Sequence, residues 1–180
     1  MRPILLVLCG LVSAGWLLVA AVAHAQESAT APRWTWWVTG DLGGGTLEAA
    51  PGKQASTKLA TGLAASAQWR QLLLRVRYMK LSELLGDRSS DWGVLAGIAT
   101  LPGRFYAGAA LGVGRATGDR APDAFGPYIA QGSRTTLPVE AELAWRPFGS
   151  LGVGATGFAS LNSGFTFAGV AFAVELGRVR

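Results

Sequence analysis

The chain has 180 residues, of which 50% are hydrophobic and only 15% charged, with 25 glycines and a formal net charge of +5. The large apolar fraction excludes an intrinsically disordered chain, and the length suits one domain. The basic residues are scattered without any Lys/Arg run, so the sequence indicates no nucleic-acid partner.

The first 25 residues have the layout of a secretory signal peptide. Arg2 supplies a positive start, an apolar run extends over 4–22, and Ala23-His24-Ala25 forms a small-x-small exit. We therefore predict a helical signal peptide over 1–25, cleaved near Ala25, followed by a short N-terminal segment over 26–32. The apolar run is long enough to cross a bilayer, so an uncleaved anchor is the alternative.

Cleavage at this position would change the chemistry available to the mature chain. The single cysteine and the single histidine, Cys9 and His24, would both be removed. The mature chain would keep 15 basic and 11 acidic residues, a net charge of +4. It could form no disulfide and no zinc or copper site built on Cys or His. We expect neither a metal nor a cofactor.

From residue 33 onward, apolar and polar residues alternate with period two, which is typical of β-strands. In the clearest segment, 136–147, Leu137, Val139, Leu143 and Trp145 share one face. Eight such segments are predicted, over 33–47, 57–70, 72–81, 91–101, 104–116, 134–147, 150–161 and 165–178. Long strands in an even number favour an all-β fold, an eight-stranded antiparallel up-and-down transmembrane β-barrel over 33–180.

Connection lengths and aromatic residues favour the same architecture. Tight turns near 70, 102 and 148 alternate with longer connections over 48–56, 82–90 and 117–134. Aromatic side chains fall near both ends of the strands, as in the interfacial girdles of membrane barrels. The predicted periplasmic girdle, at the short-turn end, consists of Trp34, Trp36, Trp69, Phe105 and Trp145. The predicted extracellular aromatics are Tyr78, Trp92 and Phe165.

With these residues placed, the chain resembles the small bacterial outer-membrane β-barrel proteins of the eight-stranded type. The signal peptide, the hairpin over 68–78 and the final strand over 167–178 carry the resemblance. It implies the outer membrane of a Gram-negative-type bacterium, contact with outer-membrane lipid, and the barrel insertion machinery as a partner during biogenesis. One departure is the end of the chain, 177–180, because such barrels often end on an aromatic residue that the insertion machinery reads.

Charged residues alternate onto the face opposite the apolar one. We expect a lumen charge network of Asp41, Arg75, Arg77, Glu140, Glu142 and Glu175, since an Arg facing lipid near the midplane would cost about 2–4 kcal/mol. The favoured interpretation is a salt-bridge plug in a narrow lumen, and the alternative is a selectivity ring. Small inward residues, including Gly108 and Gly152, leave open whether large side chains fold across them or a cavity remains.

The sequence gives no support for catalysis. Glu140 and Glu142 are not accompanied by a nucleophile or a base. Enzymes among the outer-membrane barrels resemble one another in relying on a histidine, which the mature chain would lack. We therefore predict a non-enzymatic barrel with a structural or surface-interaction role through extracellular loops whose ligand is unknown. The alternatives are a narrow channel for small or apolar solutes and a soluble periplasmic, lipocalin-like barrel that binds a ligand.

Overall fold

The computed structural model describes residues 34–48, 56–82, 88–120, 129–164 and 166–178. The predicted signal peptide, the segment 26–32 and Phe165 lie outside the described residues. Eight strands account for nearly all of the described chain: β1 (Trp34–Glu48), β2 (Ser56–Trp69), β3 (Leu72–Ser82), β4 (Arg88–Ala99), β5 (Phe105–Arg120), β6 (Ile129–Phe148), β7 (Leu151–Leu161) and β8 (Thr166–Arg178). No helix in these ranges is long and apolar enough to cross a membrane.

Each strand pairs antiparallel with the next, and β1 also pairs with β8, so the sheet closes into a barrel. Closure pairs each described strand on both sides, which is the condition for a β-structure to span lipid. The predicted all-β, eight-stranded, antiparallel up-and-down fold is confirmed. The shortest strands have 11 residues, enough for a tilted strand to cross a bilayer.

Three strands extend further toward the long-connection end than the sequence pattern predicted. β4 begins at Arg88, β5 continues to Arg120, and β6 begins at Ile129. The predicted connection over 117–134 was therefore too long. Polar pairs hold these ends together beyond the apolar alternation, because the hydroxyls of Ser90 and Thr117 lie 3.1 Å apart.

The same extension contains an irregularity between β5 and β6. Their register shifts between Thr117 and Asp119, and Gly132 on the opposite strand has a φ of 78°. Glycine adopts this left-handed conformation without steric cost, and such a residue is typical of a β-bulge. Through the bulge, β5 and β6 remain paired although their register shifts at this point.

A proline interrupts the ladder between β5 and β6 without disturbing the barrel. Residue pairs occur at Leu111/Val139 and resume at Gly114/Thr136 with the same register, and Pro138 lies in the gap. Proline has no N–H to donate to the neighbouring strand. Its ring faces inward over Gly93, where a Cβ would lie 2.9 Å from Cγ of Pro138. The lost hydrogen bond is thus accompanied by close packing inside the barrel.

The distribution of polarity across the barrel wall is the reverse of that in a soluble protein. In β3 every second side chain is exposed, and the exposed ones are Leu72, Leu74, Val76 and Tyr78. Exposed large apolar side chains occur on seven of the eight strands, and the exception is β7. Buried charges include Arg75, Arg77, Glu140, Glu142 and Glu175. A soluble lipocalin-like barrel would need the opposite arrangement, so the outer surface fits hydrocarbon.

We predict that an arginine on the apolar outer wall destabilises the barrel in a bilayer. Val76, paired with Ala65 and Val94 near the middle of its strand, is 52% exposed. Val76→Arg should lower the free energy of unfolding from phospholipid vesicles by about 2–4 kcal/mol, measured by urea titration. The control Thr57→Arg, at the long-connection end of β2, should cost about 0–1 kcal/mol. Equal losses for both variants would contradict a membrane-spanning wall.

Candidate functional site: the barrel interior

The interior of the barrel is filled in three layers. The inward side chains of β3 cross all of them in order, because Leu73 belongs to one apolar cluster, Arg75 and Arg77 follow, and Met79 and Leu81 belong to another. The cluster at the short-turn end comprises Trp37, Leu73, Leu95, Ala99, Tyr106, Ala110 and Ala144. The cluster at the long-connection end comprises Leu47, Ala60, Met79, Leu81, Ala116, Phe158, Phe167 and Ala171. A charged layer therefore lies between two apolar ones.

Arg75 is at the centre of the charged layer. Its guanidinium forms ion pairs with both Glu140 and Glu142, which reach it across the lumen from β6. Its Nε donates to Oγ of Ser66 on the neighbouring strand at 2.7 Å. Period two brings the two glutamates to the same face, so a single cation offsets the repulsion between them.

Arg77 joins one of these carboxylates, Glu140, to further strands. It lies 2.7 Å from Oδ2 of Asp91 on β4 and 3.4 Å from Oε2 of Glu140. It also donates to the backbone carbonyls of Val139 and Ala159 at 3.3 Å. Five donors in a fixed planar fork allow one arginine to link β3, β4, β6 and β7.

A second ion pair lies toward the short-turn end. Arg146 binds Glu175 in a bidentate manner, with Nε and an Nη at 2.6 and 3.0 Å from the two carboxylate oxygens. The Arg146 guanidinium also lies over the rings of Tyr106 and Trp37, at 4.1 and 4.6 Å from their centroids. The two rings meet edge to face. Cation–π contact with desolvated rings adds to the charge pairing.

The structure brings together five of the six charged residues expected in the lumen. Arg75, Arg77, Glu140, Glu142 and Glu175 all form ion pairs there. Asp41 also faces the interior and is buried, but it forms no ion pair with any described residue. It lies within electrostatic range of Arg75 and Arg77 and beside Thr156.

Sequence reasoning missed four members of this interior. Arg146 and Asp91 pair with expected residues, and Trp37 and Tyr106 flank Arg146. The alternation could have found them, since Trp37 has the same phase in β1 as Asp41. Asp91 was harder to assign because the predicted strand began with it, so too little of the strand remained to fix its orientation.

Large side chains occupy the space beside the small inward residues. A Cβ at Gly108 would lie 2.9 Å from Cζ of Tyr106, and one at Gly152 would lie 2.9 Å from Cγ of Arg146 and would also collide with Glu175. At Gly62 a Cβ would lie 2.7 Å from Cε of Met79. These glycines admit bulky neighbours into a narrow lumen, which is the first of the two outcomes that the sequence left open.

The chemistry of this interior is ionic and structural in character. Among the described residues there is no group of three or more His, Cys, Asp or Glu side chains arranged to hold a metal ion. The carboxylates of Glu140, Glu142 and Glu175 are each engaged by an arginine. Charges compensated in this way link strands across the lumen.

Comparison with known proteins agrees with this geometry at the level of the fold. No protein-family model matches the sequence, and no curated protein shows significant similarity to it. Among solved structures, the chain is similar to Neisserial surface protein A (TM-score 0.60, 14% identity, covering 78% of this chain and 96% of that one). It is also similar to Ail, the attachment invasion locus protein of Yersinia pestis (0.58, 14%, 80% and 97%). A third is the N-terminal barrel domain of Pseudomonas aeruginosa OprF (0.55, 10%, 81% and 100%).

The chain has the fold of the small outer-membrane β-barrels. Identities of 10–14% support the shared architecture and no transfer of activity. Each comparison structure is covered almost completely. The eight strands described here therefore match a complete small barrel.

We predict that the charged layer is the most sensitive part of the interior. Arg75→Met removes the cation from between Glu140 and Glu142, so the free energy of unfolding in detergent or vesicles should fall by about 3–5 kcal/mol. Arg88→Met is a suitable control, because it breaks the half-exposed pair between Arg88 and Asp119 and should cost about 0–1 kcal/mol. A loss of 1 kcal/mol or less for Arg75→Met would show that the ion pairs do not hold the interior together.

Proposed function

We propose that this protein is a non-enzymatic, integral outer-membrane barrel that acts through its outer surface and extracellular loops. The observation that carries the proposal is the reversed polarity of the wall, with Leu, Val and aromatic side chains outside and paired charges inside. Such a wall is stable in hydrocarbon and would aggregate in water.

The exposed aromatic residues support the same location. Trp34, Phe105 and Trp145 are exposed at the short-turn end, and Trp34 stacks against Trp69. Tyr78 and Trp92 are exposed near the opposite end and pair directly across β3 and β4. Aromatic side chains at both membrane–water interfaces are typical of transmembrane barrels. We propose that the first group faces the periplasm and the second the cell exterior.

Biogenesis follows from the first 25 residues. A signal peptide over 1–25, cleaved near Ala25, would deliver the chain to the periplasm, where the barrel insertion machinery would place it in the outer membrane. After cleavage the chain would lack cysteine and histidine, which removes the side chains that serve most often as nucleophile activators and zinc ligands. This composition supports a role without catalysis.

The filled lumen supports action at the surface rather than conduction. An eight-stranded barrel is wide enough for side chains or one small ligand. Here Arg75, Arg77 and their carboxylate partners cross the centre, with apolar layers above and below. The part of the molecule left to meet partners is therefore the loop end.

We predict that the protein behaves as an integral membrane protein. After expression with its native N-terminus, it should sediment with the outer-membrane fraction. It should resist extraction with sodium carbonate and urea and dissolve only in detergent. The processed N-terminus, determined by sequencing, should follow Ala25. Recovery as a water-soluble monomer without any amphiphile would overturn the proposal.

We predict that the purified barrel conducts no ions. In planar bilayers it should give a flat current trace, because ion pairs and apolar clusters of the described residues occupy the narrow lumen. The positive control is a larger porin reconstituted from the same detergent. Single-channel steps that disappear when the barrel is omitted would support the narrow channel instead and contradict a closed lumen.

A further inference from the structure

Outward-facing basic side chains lie on one side of the barrel wall at its long-connection end. Three basic residues alternate onto the outer face together with the exposed residues of their strands: Lys80 on β3, Arg88 on β4 and Arg115 on β5. The outward side chains at the same level of β2, β7 and β8 are uncharged, for example Thr57, Leu161 and Thr166. In the part of the chain that the structure describes, the basic residues that face outward at this end thus occupy three adjacent strands.

Strand register brings these side chains close together. Lys80 pairs with Ser90, and Ser90 pairs with Thr117, so a cation and two hydroxyls form one row across β3, β4 and β5. Arg115 lies two residues before Thr117 on β5. Strand spacing then puts the Cα atoms of Lys80 and Arg115 about 12 Å apart, a gap that two long basic side chains can close. Arg88 and its partner Asp119 form the upper border of the row.

The cations at the centre of this surface have no acidic partner among the described residues. Lys80 and Arg115 form no ion pair with any described carboxylate. The Ser90 and Thr117 hydroxyls lie between them, 3.1 Å apart. The strand pair Tyr78/Trp92 lies directly below, with Arg115 opposite Trp92. Exposed aromatic rings mark the depth at which lipid headgroups begin. The surface therefore combines positive charge, hydroxyl donors and an apolar base at headgroup height.

We propose that Lys80, Ser90, Thr117 and Arg115 form a binding site for the phosphate groups of an outer-leaflet glycolipid, whose acyl chains lie against Val94 and Val113 below. The inference rests on the proposed outer-membrane location. Charge complementarity selects the ligand, because ammonium and guanidinium groups bind phosphate through charge-assisted hydrogen bonds. The position of the cations favours a lipid over a soluble phosphate, because both cations face outward from the wall, next to its apolar belt. Val94 and Val113 are paired and exposed, and each lies two residues along its strand from the row of Trp92 and Arg115.

The test uses the folded full-length mature barrel in zwitterionic detergent. The double variant Lys80→Gln/Arg115→Gln removes both central cations. The matched control Arg70→Gln/Arg104→Gln removes two exposed arginines from the short-turn end. Binding of diphosphoryl lipid A, of its dephosphorylated form and of inorganic pyrophosphate is measured by calorimetry at about 0.1 M salt, where exposed charges more than about 10 Å apart are largely screened.

The wild type should bind diphosphoryl lipid A, and the double variant should bind it about 25-fold more weakly, since each cation near an anionic lipid surface contributes about fivefold. The control should retain wild-type binding within twofold, and dephosphorylated lipid should not bind the site. Equal weakening in both variants would overturn the proposal. Pyrophosphate bound as tightly as the lipid would instead assign the site to a soluble phosphorylated ligand.

Insertion into vesicles, scored by protease protection, separates this inference from the function on which it rests. A wild-type chain that fails to insert would overturn the outer-membrane proposal itself. A wild-type chain that inserts but binds the phosphorylated and dephosphorylated lipids equally would overturn the glycolipid site alone.

Discussion

The guanidinium of Arg75 is the interaction on which the closed interior depends. It forms ion pairs with both Glu140 and Glu142, whose mutual repulsion on one face of β6 would otherwise be uncompensated in a desolvated lumen. Through Ser66 and Arg77 the same network reaches four other strands. Removing either sign of charge would leave the other buried without a partner, which costs more than the pair contributes. The ion pairs therefore fix one arrangement of the strands.

This ionic interior and the apolar exterior depend on each other. A soluble domain gains its stability by burying leucine and valine, whereas here Leu74 and Val76 face outward and Arg75 lies between them on the other side of the strand. With hydrocarbon outside, the backbone must satisfy its hydrogen bonds within the sheet, so the barrel has to close. Closure in turn creates the narrow lumen in which long arginines can bridge opposite strands.

Alternation with period two was enough to predict the fold, because each strand must present one face to lipid and the other to the lumen. Strand ends were less predictable: β5 and β6 continue past the apolar pattern through the Ser90–Thr117 contact and a bulge at Gly132. The pairing of Arg146 with Glu175 depends on which strands become neighbours or face each other after closure. The position of a residue in the alternation of its strand shows whether its side chain faces the lumen or the outside. It does not show which residue on another strand that side chain will contact.

A barrel with a filled lumen and an apolar outer wall has few surfaces left for recognition. In the proposed membrane location, hydrocarbon covers the belt around Val76 and Val113 and the ion pairs fill the centre, so specific contacts must occur at the two rims. The two rims differ in chemistry. Exposed tryptophans such as Trp34 and Trp36 dominate the short-turn end, whereas at the other end Arg115 lies beside Trp92 and Lys80 lies two residues beyond Tyr78. Because these cations occupy only one wall, the described rim can orient the barrel relative to a neighbouring anionic molecule. A symmetric ring of charge would hold the barrel at a fixed depth without giving it a preferred side.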